Sequence, residues 1–206
     1  MTSIILFDIG NVLVLADESI THRILHERYG VPSERARQFY TIPAFYAFNR
    51  GIITGKQLYD ALLAQRIVPA SMTLAQVRQA HNDHIYAVDK EMERIVQETA
   101  AHQRIGFHTD ANVWQTERVE KELIPLETYG PVFRSHELGA LKIEAACYLK
   151  VSSRLGLPPE EIVLVDDSPE KIDMARKAGW RGILYKEDNP DRYKHLRREL
   201  ASLGKN

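Results

Sequence analysis

The chain has 206 residues, 44% hydrophobic and 27% charged, enough to bury a sizeable core in one large or two small domains. Its 27 basic and 28 acidic side chains leave a formal net charge of -1, which argues against nucleic acid or an anionic membrane as partner and leaves small neutral to anionic ligands open. No basic segment precedes the first apolar run and no apolar stretch approaches ~18 residues, so neither a signal peptide nor a membrane span is expected, and a cytoplasmic location is.

Ile4, Ile5, Leu6 and Phe7 are four consecutive apolar residues, followed by Asp8, Gly10 and Asn11. They read as a strand buried on both faces that delivers Asp8 to a loop at its C-terminal edge, where open α/β sheets keep their chemistry. Taken alone, Asp8 equally suits a residue that starts a tight turn.

From Asp17 to about His84 the pattern is helical. Asp17 caps a helix through Tyr29 that ends at Gly30, a short helix runs toward Tyr40, Thr54 caps a helix carrying Leu58, Leu62 and Leu63, and Thr73 caps another to about Asp83. The intervening aromatics (Phe39, Tyr40, Phe45, Tyr46, Phe48) suit the core of a small helical bundle better than a ligand pocket. An all-helical insertion after the first strand follows.

Beyond Asp89 helices and strands alternate, the signature of a parallel sheet with covering helices, and the fold class is α/β. Asp89 caps a helix to about Ala101, Arg104 to Thr109 is a second buried strand, and Asn112 to Leu123 is helical. Val132 and Phe133 mark a short strand. Ile143 to Leu155 is a helix in which Cys147, the single cysteine, reads as a core residue in a reducing compartment. Ile162 to Val165 is the clearest strand and ends in Asp166-Asp167-Ser168-Pro169 before a helix to Ala178; a strand from Arg181 to Tyr185 follows, and Pro190 starts a charged C-terminal helix.

Two buried strands thus end in acids, Asp8 and the Asp166-Asp167 pair. Three carboxylates at one sheet edge repel one another unless a cation neutralises them, and oxygen-only ligands suit Mg²⁺ better than zinc. One of the Asp166-Asp167 pair also suits a helix N-cap. Thr109 adds a hydroxyl at the end of another strand and Lys142 a cation at the start of a helix, which together make a phosphoryl-binding site containing a nucleophile.

Asp8, Thr109, Lys142 and Asp166-Asp167, in this order, resemble the four motifs of the haloacid dehalogenase (HAD) superfamily. Ile9-Gly10-Asn11-Val12 and Arg50-Gly51-Ile52-Ile53-Thr54 look like the subgroup of sugar phosphatases that includes one acting on α-glucose 1-phosphate. The resemblance implies a Rossmann-like core of residues 1–15 and 86–206 and a helical cap domain of residues 16–85. It further implies Mg²⁺ held by Asp8, the Gly10 carbonyl and Asp166 or Asp167, an aspartyl-phosphate on Asp8, Thr109 and Lys142 as catalytic residues holding the transferring phosphoryl oxygens, and Asn11 and Asp110 with them around a small phosphorylated metabolite.

The chain also departs from that pattern. Gly10 stands where the superfamily's phosphatases carry a second Asp that protonates the leaving oxygen, a loss worth about 10²- to 10⁴-fold in rate, or roughly 3 to 5 kcal/mol. Asn11 beside it can position water but not transfer its proton. Asp110 replaces a common Asn, Ile143 a common Pro, and Lys171 a common Asn. Slow or substrate-restricted turnover is one expectation, a protein that only binds Mg²⁺ and phosphate as a regulatory partner is a second, and a 2-haloacid dehalogenase, which needs no acid at position 10, is a third. The acid pair at 166–167 speaks against the last. His22 and His26, four apart, lack an evident third ligand, and the basic face from Arg192 to Arg198 suits solvent. Oligomeric state is left open.

Overall fold

In chain order the elements of the computed structural model, which describes residues 2–186 and 188–203, are β1 (Ile4–Phe7), β2 (Val14–Ala16), α1 (Glu18–Tyr29), α2 (Ser33–Ala36), α3 (Pro43–Asn49), α4 (Gly55–Ala64), α5 (Leu74–Asn82), β3 (Ile85–Val88) and α6 (Lys90–Ala100). They continue with β4 (Ile105–Thr109), α7 (Val113–Glu122), β5 (Val132–Arg134), α8 (Ser135–Leu138), α9 (Ala145–Leu155), β6 (Ile162–Asp166), α10 (Pro169–Lys177), β7 (Arg181–Leu184) and α11 (Arg192–Leu203).

Five strands form a parallel sheet in the order β5-β4-β1-β6-β7. The apolar run of β1 sits at its centre, wholly buried because helices cover both faces. Ile5 and Phe7 pack with Met92, Ile95 and Val96 of α6 and Leu196 of α11, whereas Ile4 and Leu6 pack with Cys147 and Val151 of α9 and Ile172 of α10. Each such side chain contributes about 1.5–3 kcal/mol on burial. Register sets the chemistry: Phe7 lies level with Phe107 on one side and Val165 on the other, so Asp8, next after β1, comes level with His108 and Asp166. The chain builds outward from β1 through β4 to β5, then crosses to β6 and β7, and the reversal of direction leaves a crevice at the carboxyl ends of the central strands.

Between residues 18 and 82 the regular elements are all helices. Side-chain caps set the starts of α1, α4 and α5, with Asp17 accepting from Ser19 and capping boxes at Thr54–Gln57 and Thr73–Gln76, and left-handed Gly30 closes α1. Phe39, Tyr40, Phe45 and Phe48 lie in an apolar core with Leu25, Leu58 and Leu62, to which Trp114 of α7 also belongs. Docking of these helices on the sheet layer is close at Gly51: its φ is +68°, and a Cβ there would collide with the His136 carbonyl.

Three features differ from the expectations. Strands β2 and β3 pair antiparallel where the chain leaves and re-enters the sheet domain, joining segments about 70 residues apart that, at three and four residues, are too short to signal strand separately. Helix α9 begins at Ala145, because Lys142 lies in the preceding turn, where the Glu144 side chain accepts the Leu141 N–H. Helix α11 begins at Arg192, two residues after Pro190. Among the described residues no helix is long and apolar enough to cross a membrane.

Candidate functional site

Asp8 emerges from β1 with its backbone N–H bonded to the Val165 carbonyl and its Oδ1 accepting the Ile9 N–H at 2.7 Å. The carboxylate is 3% exposed. Oxygens of Asp8, Asp166 and Asp167 lie within 4.8 Å of one another, and among the described residues these three acids are the one group assembled as a metal site would be. Asp166 is held by the Ser168 N–H at 2.9 Å, while the Ser168 hydroxyl, not either acid, caps α10.

Lys142 is fully buried against these acids. Its Nζ sits 2.9 Å from Asp8 Oδ1, 2.6 Å from Asp166 Oδ2 and 3.0 Å from the His108 carbonyl. Lys171, in the first turn of α10, approaches from the other side, 3.7 Å from Asp8 Oδ2 and 3.7 Å from Asp110 Oδ2. Burial alone would raise the Asp8 pKa, but the two ammonium groups outweigh it and hold the carboxyl at about 2. Asp166 is pushed up to about 7 by burial, with Lys142 opposing and the Asp8 charge adding to the rise, and Asp167 is raised by burial and by Asp8. Burial works against the charge of both lysines, but the surrounding carboxylates keep their pKa values above the usual lysine value. The result is an ionised Asp8 beside acids that repel it, an arrangement a divalent cation would relieve. No backbone donor bonds the Gly10 carbonyl among the described residues, leaving that oxygen free to ligate.

Thr109 ends β4, buried, and lines a cleft of about 390 Å³ with Gly10, Asn11 and Asp110. Asn11 adopts φ 54°, a conformation Asn tolerates, and its Oδ1 accepts the Ala16 N–H at 3.1 Å, tying the loop to β2. Asp110 Oδ1 accepts the Lys142 backbone N–H at 2.9 Å, so its charge is directed at the two lysine segments. The far wall of the cleft brings Glu18, His84, Gln115 and Thr116, none of which the sequence singled out, because nothing local marks them as neighbours of Asp8. Lys171 was visible only as an unusual residue after Asp166-Asp167; its signal is its place in the first turn of the helix that follows them. His26 is bonded to the Val31 carbonyl, and no group of three potential ligands includes it or His22 among the described residues. In the basic C-terminal face Arg197 pairs with Glu91 and Glu98, and Arg192 with Tyr185 and Tyr193.

Comparison with known proteins bears on the family and the fold. A family model described as a hydrolase, haloacid dehalogenase-like hydrolase, matches residues 2–179. The enolase-phosphatase E1 of Aquifex aeolicus is 40% identical over 42 residues, a match spanning only 20% of this chain and 19% of that protein. Among solved structures, a HAD family enzyme of Bacteroides thetaiotaomicron in complex with magnesium and inorganic phosphate superposes with a TM-score of 0.83 at 19% identity, covering 95% of this chain and 99% of that one. A predicted HAD-like family hydrolase of Porphyromonas gingivalis gives 0.80 at 17% identity, covering 97% and 98%. A 2-haloacid dehalogenase of Pseudomonas syringae gives 0.64 at 21%, covering 98% and 100%. At these identities the structural likeness establishes the fold.

Proposed function

Because the chain belongs to the haloacid dehalogenase-like hydrolases, we propose that it is a Mg²⁺-dependent phosphatase of small phosphate monoesters, sugar phosphates among them, with Asp8 as nucleophile. The observation that carries this reading is the ionised, buried Asp8 held between Lys142 and Lys171 within a cluster of three carboxylates. Magnesium bound by the structural relative from Bacteroides supports the choice of metal. Here Asp8, Asp166 and Asp167 with the Gly10 carbonyl would hold it, and it would supply positive charge to the transferring phosphoryl group.

The protein's own groups do the rest. An Asp8 carboxylate oxygen attacks phosphorus, the bond to the ester oxygen breaks, and an aspartyl-phosphate forms. The departing alkoxide takes its proton from water, since position 10 offers none. Water then attacks the phosphorus of the acyl phosphate, releasing inorganic phosphate and restoring the Asp8 carboxylate. Lys142 keeps Asp8 ionised and fixed throughout.

The test is phosphate release from a panel of metabolite monoesters and an aryl phosphate in the presence of Mg²⁺. Asp8→Asn is expected to reduce release by at least about 10⁴-fold, and activity that survives the substitution rules Asp8 out. Gly10 favours a second reading, a protein that binds metal and phosphate without turnover. Magnesium binding with no release from any ester selects it, and chloride release from a 2-haloacid that survives chelation selects a dehalogenase.

A further inference from the structure

We infer that Lys171 is the lysine that donates hydrogen bonds to the phosphoryl oxygens, while Lys142 serves as a positioning residue for Asp8. The inference rests on the phosphatase reading above and assigns the ligand's contacts within it. An ammonium group has three donors. Lys142 donates to Asp166 Oδ2 and the His108 carbonyl, its third near partner is Asp8 Oδ1 in an ion pair at 2.9 Å, and its side chain is wholly buried. Serving a phosphoryl oxygen from Lys142 would therefore break a charge-assisted bond already made at 2.6–3.0 Å.

Lys171 is in the opposite condition. Its Nζ is drawn to Asp8 Oδ2 and Asp110 Oδ2 by charge, but at 3.7 Å it is beyond hydrogen-bond distance of both, and it makes no hydrogen bond among the described residues. The side chain is 22% exposed, within reach of both the nucleophile and solvent. Its backbone is fixed: the Tyr148 hydroxyl lies 2.8 Å from the carbonyl oxygens of both Lys142 and Lys171, so one buried phenol sets the spacing of the two lysines. Helix α10, capped by Ser168, adds the positive end of its dipole behind Lys171. A phosphoryl group approaching Asp8 thus meets three uncommitted donors on Lys171, and its negative charge replaces the attraction that Asp110 exerts on that ammonium.

Calorimetric titration with inorganic phosphate at saturating Mg²⁺, together with steady-state kinetics, tests the assignment in wild type, Lys171→Met and Lys171→Arg. Loss of one charge-assisted contact weakens phosphate binding by about 10- to 100-fold, so Lys171→Met is expected to show that loss and a matching rise in KM, with Lys171→Arg within about threefold of wild type. Lys171→Gln, a polar neutral replacement, repeats the measurement should Lys171→Met melt early. Phosphate affinity unchanged in both neutral variants, with only Mg²⁺ affinity altered, overturns the assignment and leaves Lys171 a neutraliser of Asp8 and Asp110. Phosphate binding that depends on Lys171 in a protein without turnover upholds this assignment while sinking the phosphatase reading.

Discussion

A Cβ built on Gly10 meets no heavy atom within 4 Å, and the residue does not need a left-handed backbone. Nothing in the packing therefore requires glycine there, and a side chain would project into the cleft beside Thr109 and Asp110. Gly10→Asp is expected to fold normally. It would supply the missing proton donor, and a general acid is worth about 10²- to 10⁴-fold where the leaving group is poor. Alkyl phosphates should gain by that order and aryl phosphates, whose phenolates leave unaided, by far less. Equal gains on both, measured as kcat/KM, would remove the missing-acid explanation.

At the junction of α5 and β3 the helical layer meets the sheet layer through buried histidines. His81 has Nδ1 3.3 Å from the Tyr40 hydroxyl and Nε2 3.2 Å from the Asn112 amide nitrogen, which fits a neutral ring donating from Nδ1 and accepting at Nε2. Burial, with neighbouring His84 adding to it, holds its pKa well below 6.5, and burial lowers that of His84 as well. In the unfolded chain each ring takes up a proton near pH 6.5 more readily than in the folded state, so the stability each contributes is full above that pH and declines as pH falls below it. For His81 the loss between about pH 7.5 and about pH 5.5 reaches roughly 1.4 kcal/mol. Urea denaturation at the two pH values should show a drop smaller by about that amount in His81→Gln, and an identical drop would mean that His81 titrates freely in the folded protein.

At the scale of the whole molecule, the phosphatase reading makes the cleft between the two layers the place where the alcohol portion of a substrate would sit. Asp17, Glu18, Asp110 and Glu120 line it, its one arginine, Arg134, is committed to Glu120, Glu127 and Glu137, and burial lowers the pKa of His84. A wall with acids and, among the described residues, no uncommitted cation would repel a second negative charge on the substrate. Three six-carbon sugar derivatives phosphorylated at the same carbon and carrying an amine, a hydroxyl or a carboxylate make the comparison. kcat/KM is expected to fall about tenfold or more from the first two to the carboxylate, and a carboxylate turned over as well as its neutral counterpart would show that the wall does not act on charge.

Much of this protein was legible in its sequence alone. The buried run before Asp8, the acids after Ile162–Val165, Thr109 at a strand end, and the caps Asp17, Thr54, Thr73, Asp89 and Asn112 are local signals, written in consecutive residues or at a helical period. The alternation of helices and strands after Asp89 determined the parallel sheet, and four motifs in order carried the resemblance to the family. Tertiary structure alone decided which groups share space. The β2–β3 ribbon pairs segments that are separately too short to read, Asp110 turns toward Lys142 and Lys171 rather than standing free, and the far wall of the cleft comes from α1, α5–β3 and α7. The two lysines are the sharpest case: that Lys142 is held by close protein acceptors while Lys171 is not depends on differences of about an ångström, set by strand register and by Tyr148, which no one-dimensional pattern contains.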